Sequence, residues 1–205
     1  KRPIFIFVSP AVRPSNLIQV FAFADDYSFG ILQSAAHWQW FVAKCGKLAE
    51  RYRYSAESVF DTFPWPQAPS EQQIYAVAAA GREIRRIRDS ALTTLTGGLR
   101  ALYRTLDLPG KNPLRDAHAA LDAAVLTAYG FSAKADLLEQ LLALNATVAE
   151  RLAHGQQPTQ SPRQTLFCRP ELTHGCGGSW VASRRAKLAH GGAAGRRDGL
   201  QGLAL

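Results

Sequence analysis

The sequence contains no methionine, and its first residue is Lys1. Because translation begins with methionine, we expect the chain to be part of a longer protein or to have been trimmed. The sequence also has no run of 18 apolar residues, so no membrane-spanning helix and no membrane partner is predicted. The basic N-terminus is followed by an apolar stretch that is too short for a signal-peptide core.

Cysteine is scarce, with Cys45, Cys168 and Cys176 as the three examples. Three cysteines form no paired disulfide framework, which favours a reducing, bacterial-type cytoplasm. Cys168, His174 and Cys176 form a local cluster, but a zinc site needs four ligands at suitable spacing. We interpret this cluster as chance spacing in an unstructured tail, so no metal is predicted.

The motifs of common enzyme classes are missing as well. The sequence has no glycine-rich loop that ends in Gly-Lys-Ser/Thr, and it has no G-x-S-x-G. His37 and His118 stand alone on predicted helices, where a core or capping role is more common than catalysis. We therefore predict no catalytic residue and no cofactor-binding residue in this chain.

The composition nevertheless predicts a folded protein. Of the 205 residues, 47% are hydrophobic and 10% aromatic, which is enough to bury a core and excludes wholesale disorder. The net charge is +8, but residues 1–158 carry only +3 of it, and residues 159–205 carry +5. The body of the chain is thus mildly basic, which is compatible with nucleic-acid contact but does not require it.

Residues 1–68 are rich in aromatic residues and prolines. Short strands are predicted at Ile4–Val8, Leu17–Phe23 and Phe29–Gln33, followed by a helix that Ser34 can cap. The stretch ends in F-P-W-P-Q-A-P, whose three prolines stop regular structure. We interpret it as a partial α/β piece.

Residues 70–155 have a helical pattern. Ser70 and Gln73 form a capping box, and the apolar residues after them recur with a period of about 3.6 until the Gly97-Gly98 pair breaks the pattern. Asn112, as N-cap before Pro113, begins a second helix that Gly130 closes. Ser132 is predicted to begin a third helix, which runs to about Ala153. Three helices with short connections predict an antiparallel three-helix bundle.

Residues 156–205 are predicted to be a disordered tail rich in glycine and arginine. Eight of residues 159–205 are glycine, and the few large apolar residues cannot offset the entropy of ordering this stretch. One hypothesis is that the tail is an out-of-frame extension of a GC-rich gene. The predicted fold class is therefore α+β: a partial α/β piece, a three-helix antiparallel bundle and a disordered tail.

The densest set of charges lies after the Ser34 helix. Four cations surround Glu50, with tyrosines interleaved: Lys44, Lys47, Arg51 and Arg53. Such an edge could contact DNA phosphates. The alternative is an ordinary solvated helix face and loop, which composition alone favours.

Several long motifs resemble the region that follows the catalytic domain in type IIG and type IIL restriction-modification enzymes, which are class I S-adenosylmethionine-dependent, adenine-specific DNA methyltransferases. The motifs are D-D-Y-S-F-G-I-L-Q-S-x-x-H-x-x-W (Asp25 to Trp40), R-Y (Arg53-Tyr54), V-F-D-T-F-P-W-P-Q (Val59 to Gln67), L-Y-R-T-L-D-L-P-G-K-N-P-L-R-D-A-H-A-A-L-D-A-A-V-L-T-A-Y-G-F (Leu102 to Phe131) and L-L-A-L-N (Leu141 to Asn145). The resemblance covers about residues 1–155.

This resemblance implies that residues 1–68 are the last part of a target-recognition domain and that residues 70–155 are the C-terminal helical domain. The implied partners are double-stranded DNA and an upstream methyltransferase domain that binds S-adenosylmethionine and methylates adenine flipped out of the duplex. Within this chain, DNA contacts are expected from several polar and basic residues: Arg13, Ser28, Gln33 and Ser34 for bases or register, and Lys44, Lys47, Arg51 and Arg53 for phosphates.

The catalytic signature of that family is absent. Its enzymes place the target nitrogen against an N-P-P-Y or D-P-P-Y loop, whereas the single Asn-Pro here, Asn112-Pro113, is followed by Leu114. We therefore expect this chain alone to be inactive as an enzyme. An alternative to DNA recognition is a structural or interaction module of helices, or a remnant that binds no DNA on its own.

Overall fold

The computed structural model describes residues 3–9, 11–12, 18–21, 23–48, 51–156 and 202–204, with Lys47, Leu48, Arg51 and residues 202–204 described for the backbone alone. This part of the chain is mostly helical, with a few short strands. None of its helices is long and apolar enough to cross a bilayer.

The first two helices follow each other almost without interruption. Helix α1 (Asp26–Gln33) begins at Asp25, whose side chain accepts a hydrogen bond from the Ser28 N–H, and helix α2 (Ala35–Lys44) begins at Ser34. The predicted cap at Ser34 is confirmed, but the predicted strand Phe29–Gln33 is wrong. All residues from Tyr27 to Gln33 are buried, so α1 lacks the polar face that gives a helix its recognisable period.

Two small groups of strands accompany these helices. Strand β1 (Ile6–Val8) and strand β2 (Val20–Phe21) lie where strands were predicted, although both are shorter than expected. Strand β3 (Gly46–Leu48) and strand β4 (Arg51–Arg53) pair as an antiparallel hairpin directly after α2, with Gly46 opposite Arg53 and Leu48 opposite Arg51.

Strand β5 (Gly202–Ala204) lies between β1 and β2 and is antiparallel to both. The prediction of disorder over 156–205 is therefore wrong for these three residues, because β1 and β2 supply backbone partners that composition does not reveal. Residues 157–201 and residue 205, together with the Cys168, His174 and Cys176 cluster, lie outside the described residues.

The proline-rich segment between the two parts of the chain is buried. After a π-helical turn (Ala56–Phe60), residues 63–66 pack into the core, with Phe63 and Trp65 almost inaccessible. Helix α5 (Pro113–Tyr129) reaches this segment, since the Tyr129 hydroxyl donates to the Pro64 carbonyl at 2.8 Å. The segment thus connects the two parts by packing as well as covalently.

The helical part begins with α3 (Glu71–Leu92), where Ser70 and Gln73 form the predicted capping box. The predicted break is confirmed, because α3 ends at Leu92 and α4 (Gly98–Arg104) starts only after Gly97. Gly97 has a φ of 102°, a left-handed conformation that favours glycine. A 3₁₀ turn (Thr105–Asp107) follows α4.

The last two helices begin at side-chain caps. Asn112 caps α5 by accepting from the N–H groups of Leu114 and Arg115, and Gly130 closes that helix, as predicted. Helix α6 (Leu137–Ala153) has its N-cap at Asp136, so the predicted start at Ser132 is wrong. The Gln140 side chain bonds both the N–H and the carbonyl of Ser132, which stabilises an irregular loop there.

The predicted three-helix antiparallel bundle is not what the helices form. α3 and α5 do pack closely, and the Gln73 side chain bonds the Thr127 carbonyl at 2.8 Å, as expected where the start of one helix meets the end of an antiparallel neighbour. The other large partner of α3 is α1, however, and α6 packs on α2. The apolar faces of the helical part are thus completed by the N-terminal helices.

Two glycines allow α1 and α3 to approach closely. A Cβ atom on Gly30 would lie 2.7 Å from Val77 Cγ1, and one on Gly81 would lie 2.9 Å from the Asp26 carbonyl oxygen. A single cluster of buried residues therefore runs from Phe5 to Leu141. The division of the chain into domains at residues 68–70 stays a prediction, but the packing is continuous across it.

Candidate nucleic-acid interface

Several polar residues of the Asp25–Trp40 segment are buried and hydrogen-bonded inside the protein. Ser28 Oγ donates to Asp25 Oδ2 at 2.7 Å, while its N–H donates to Asp25 Oδ1 at 2.7 Å. Ser34 Oγ donates to the Ile31 carbonyl at 2.7 Å. Both serines therefore stabilise the starts and ends of helices.

Gln33 connects α1 to the chain's first strand. Its Oε1 accepts from the Phe5 N–H at 3.0 Å, and its Nε2 donates to the Pro3 carbonyl at 3.1 Å. Both ends of the amide are thus used to hold the segment that enters β1, which a single sequence does not reveal.

These contacts correct part of the predicted interface. Ser28, Gln33 and Ser34 are 0%, 2% and 1% exposed, so they present no free donor or acceptor to a base edge. Their role in this structure is to hold α1, α2 and β1 together. Arg13, the fourth predicted base contact, lies outside the described residues.

His37 is a core residue, as predicted, and so is His118. His37 Nε2 lies 3.0 Å from the Tyr54 hydroxyl, and its ring packs edge-on against Phe5 and Phe63. Burial disfavours the charged imidazolium and lowers the pKa of His37 to about 3. The ring is neutral at physiological pH and has no access to a substrate.

Trp40 completes this buried arrangement. Its indole N–H lies within hydrogen-bond distance of the Val59 carbonyl, at 3.1 Å, and of Thr62 Oγ1, at 3.3 Å. Asn145 of α6 bonds the Thr62 carbonyl at 2.8 Å, so the same turn is held from both sides. The long Asp25–Trp40 motif is therefore a scaffold.

The predicted phosphate contacts lie together at one place, the hairpin segment (residues 44–53). Lys44 is exposed at the last turn of α2, with its ammonium 4.9 Å from the Trp40 ring centre, and Arg53 is exposed on β4. The backbones of Lys47 and Arg51 lie in the paired strands β3 and β4. The backbone positions of the four predicted residues thus lie within one short segment at the end of α2, and the two described side chains, Lys44 and Arg53, are exposed.

An aromatic side chain stands among these cations. Tyr52 is 45% exposed, and its ring edge rests on Trp38 and Phe41 at centroid distances of 6.3 Å and 5.9 Å. Tyr54, two residues on, stacks on Phe41 at 5.5 Å. The hairpin segment is therefore anchored to α2 by aromatic packing, although Lys44 and Arg53 are exposed.

Four arginines of α3, in contrast, are paired with carboxylates or buried. Arg82 and Arg85 pair with Asp26 at 3.5 Å and 2.5 Å, and Arg86 pairs with Glu83 at 2.6 Å. Arg88 is buried, bonds the Phe5 carbonyl at 2.9 Å and contacts the Tyr103 hydroxyl. Between described residues, no ion pair involves Lys44 or Arg53.

Sequence reasoning missed two contacts that position this surface. Asp122 of α5 accepts from the Ala35 N–H at 2.7 Å and so caps α2 from another part of the chain. The buried 63–66 segment fixes the far side of α2 through Trp40 and Phe63. Neither contact has a local sequence signal, since the partners are far apart in the chain.

Across the described ranges, no group of three histidine, cysteine or acidic side chains could hold a metal ion.

Comparison with known proteins identifies the N-terminal part. Residues 3–67 match the family described as MmeI, target recognition domain. These residues are therefore similar to a target recognition domain. The match covers β1 to the buried 63–66 segment, including the scaffold and the hairpin segment.

Two further similarities extend into the helices. The chain is 36% identical over 140 residues to DNA methyltransferase A of Bacillus subtilis (strain 168), which covers 67% of this chain and 15% of that protein. A chain of the type IIL restriction-modification enzyme MmeI, solved in complex with DNA, matches with a TM-score of 0.54 and 32% identity over 62% of this chain and 17% of that one. The chain therefore spans less than a fifth of either relative, and the resemblance to the recognition region of restriction-modification methyltransferases is confirmed.

Proposed function

We propose that this chain is the DNA-recognition and helical support region of a site-specific adenine-N6 DNA methyltransferase. Residues 3–67 would recognise double-stranded DNA, and α3 to α6 would hold that part in place. The structural relative was solved in complex with DNA, which supports DNA as the partner. A bacterial-type cytoplasmic location follows from this proposal.

The observation that carries the proposal is the pair of exposed cations, Lys44 and Arg53, at the two ends of the hairpin segment, which rests on a buried scaffold. Lys44 and Arg53 flank the hairpin, face solvent and lack carboxylate partners among the described residues. Contacts to DNA phosphates come mostly from such cations, and their value rises when the segment that carries them is rigid. The aromatic contacts of Tyr52 with Trp38 and Phe41 supply that rigidity.

The residues of this chain do not fit S-adenosylmethionine. The sequence has no glycine-rich cofactor loop, and Asn112 of the single Asn-Pro pair uses its Oδ1 to cap α5, with N–H groups at 3.0 Å and 3.2 Å. This side chain is therefore not available to hold a target amine. We propose that a methyltransferase domain outside this chain binds the cofactor and performs methyl transfer.

A salt titration of DNA binding tests the role of the hairpin segment. The variant replaces Lys44, Lys47, Arg51 and Arg53 by alanine in the full 205-residue chain. Each phosphate contact contributes about 0.9 to the slope of log K against log salt concentration, so we expect a shallower slope and weaker binding of every duplex. Fluorescence anisotropy with a DNA duplex at several salt concentrations measures both.

A matched control removes the same number of charges from exposed positions outside the hairpin segment and α6: Arg100, Arg104, Lys111 and Lys134. It should lower the net charge without changing the slope by more than a few tenths. An unchanged slope in the fourfold variant, or an equal change in the control, would remove the hairpin segment from the interface. If the unmodified chain bound no duplex at all, the structural-module alternative would hold.

A further inference from the structure

Strands β1 and β2 belong to one sheet but do not pair with each other. Both are antiparallel to β5, so they run parallel to one another with one strand position between them. Neighbouring strands lie about 4.8 Å apart, so the space between β1 and β2 is about two strand spacings wide. This space, bounded by residues 6–8 and 20–21, is here called the strand slot.

The two faces of the strand slot differ in burial. Phe7 and Phe21 lie opposite the same position of the central strand, Leu203, and Phe21 is buried while Phe7 is stacked on Phe29. Ile6 and Val20 lie opposite the next position, Ala204, and are 39% and 49% exposed. Because residues opposite each other share a face, the slot has one core-facing row and one solvent-facing row.

An empty slot would be costly. The facing backbone groups of β1 and β2 would lose their hydrogen-bond partners, and Phe7 and Phe21 would become more exposed to water. Phe21 packs on Phe5 at 6.0 Å and on Phe60 at 4.6 Å, so the damage would reach the core beneath. A strand must therefore fill the slot for the recognition part to keep this arrangement.

We propose that the strand slot is an acceptor site for one extended apolar segment, antiparallel to both strands, and that residues 202–204 of this same chain are its exchangeable occupant. The backbone supplies the hydrogen bonds, as in strand addition generally, so the chain that enters needs few specific side chains. The core-facing row demands an apolar residue between Phe7 and Phe21. The solvent-facing row accepts a small or polar residue.

The occupant is exchangeable because it is short and joined through a long connection. β5 contains three residues, and residues 154–201 separate it from α6. A strand of three residues makes few backbone hydrogen bonds, so a free peptide of the same sequence can compete for the same position. This inference does not rest on DNA binding by the hairpin segment, which lies in a different sheet.

The test compares two substitutions in adjacent positions of the full chain. Leu203→Asp places a charge at the register position opposite Phe7 and Phe21, and Ala204→Asp places the same charge at the position opposite Ile6 and Val20. We expect Leu203→Asp to speed amide hydrogen exchange at residues 6–8 and 20–21 by about tenfold or more, because these amides lose their partners. Ala204→Asp should change it by less than about threefold, and exchange in α3 should be unchanged in both.

A labelled peptide of residues 199–205 then probes the slot directly. It should bind the Leu203→Asp chain at least about tenfold more tightly than the unmodified chain, where the slot is filled, and should restore slow exchange in β1 and β2. The same peptide with Leu203→Asp should not bind. Light scattering should show a monomer before and after.

Three results would overturn the proposal. The first is unchanged exchange at β1 and β2 in the Leu203→Asp chain. The second is equal effects of the two substitutions, which would mean that the slot does not distinguish its faces. The third is a dimer that the Leu203→Asp substitution dissociates, because the occupant would then come from a second copy.

Discussion

Two neighbouring segments, the scaffold at Asp25–Trp40 and the hairpin segment at residues 44–53, use polar residues in opposite ways. In the scaffold, Ser28 and Ser34 are buried and bonded within the segment, whereas the buried Gln33 and His37 contact other parts of the chain. In the hairpin segment, Lys44 and Arg53 are exposed. Neither forms an ion pair with a carboxylate among the described residues. A conspicuous motif of polar residues can thus resemble a family through its buried framework, while exposed charges lie in a neighbouring segment.

The sharpest test of this contrast is Trp40→Ala. Trp40 is fully buried and its N–H is bonded, so the variant should lose about 3–5 kcal/mol of unfolding free energy. Tyr52→Ala in the hairpin segment should cost less than half of that, since the Tyr52 ring is 45% exposed. Urea unfolding followed by fluorescence and circular dichroism measures both. Equal losses would erase the distinction between scaffold and surface.

The pH dependence of stability offers a second test, smaller in size. The pKa of His37 is about 3 in the folded chain because the ring is buried, whereas the pKa of an unfolded histidine lies near its ordinary value of 6.5. The unfolded state therefore binds a proton first as pH falls, and stability present above about pH 6.5 is lost towards pH 3. One such group lowers the free energy of unfolding by up to about 1.4 kcal/mol per pH unit in that window. The total loss from pH 6.5 to 4.5 is about 2 kcal/mol, because the slope is smaller close to pH 6.5.

His37→Gln should flatten this part of the curve, whereas His154→Gln, at an exposed position after α6, should leave it unchanged. Urea midpoints at several pH values between 4.5 and 7.5 provide the measurement. A slope that persists in His37→Gln would assign the acid sensitivity to carboxyl groups instead.

The smallest expected effect concerns the cap of α1. Asp25→Ala removes the acceptor of two hydrogen bonds from Ser28 and should cost about 1 kcal/mol, with no change in the salt slope of DNA binding. Arg53→Ala should do the reverse, with stability within about 0.5 kcal/mol and a salt slope reduced by about 0.9. A salt slope altered by Asp25→Ala at temperatures where the chain is folded would contradict this separation.

Local signals in the sequence predicted the helical part well. The capping box at Ser70, the break at Gly97-Gly98 and the Asn112-Pro113 start are each set by residues within a few positions of one another. The arrangement of these helices was not predictable from such signals. α6 packs on α2, and α3 packs on α1 through Gly30 and Gly81, because the apolar faces have partners far away in the chain.

The N-terminal part was harder for two physical reasons. α1 is buried on every side, so its apolar run looks like a strand. Ser28, Gln33 and Ser34 are polar, and polarity alone suggests contact with a ligand until burial is known. The cationic stretch at residues 44–53 was predictable because charge is visible in the sequence, and its role in DNA contact stays a prediction.

The buried 63–66 segment has a consequence for protein engineering. Tyr129 bonds Pro64, Asn145 bonds Thr62, and Asp122 caps α2, so α5 and α6 are physically part of the support beneath the hairpin. A chimera that exchanges residues 3–67 alone between two relatives would cut through all three contacts. A junction placed after Ala153 would transfer the hairpin segment together with the helices that support it.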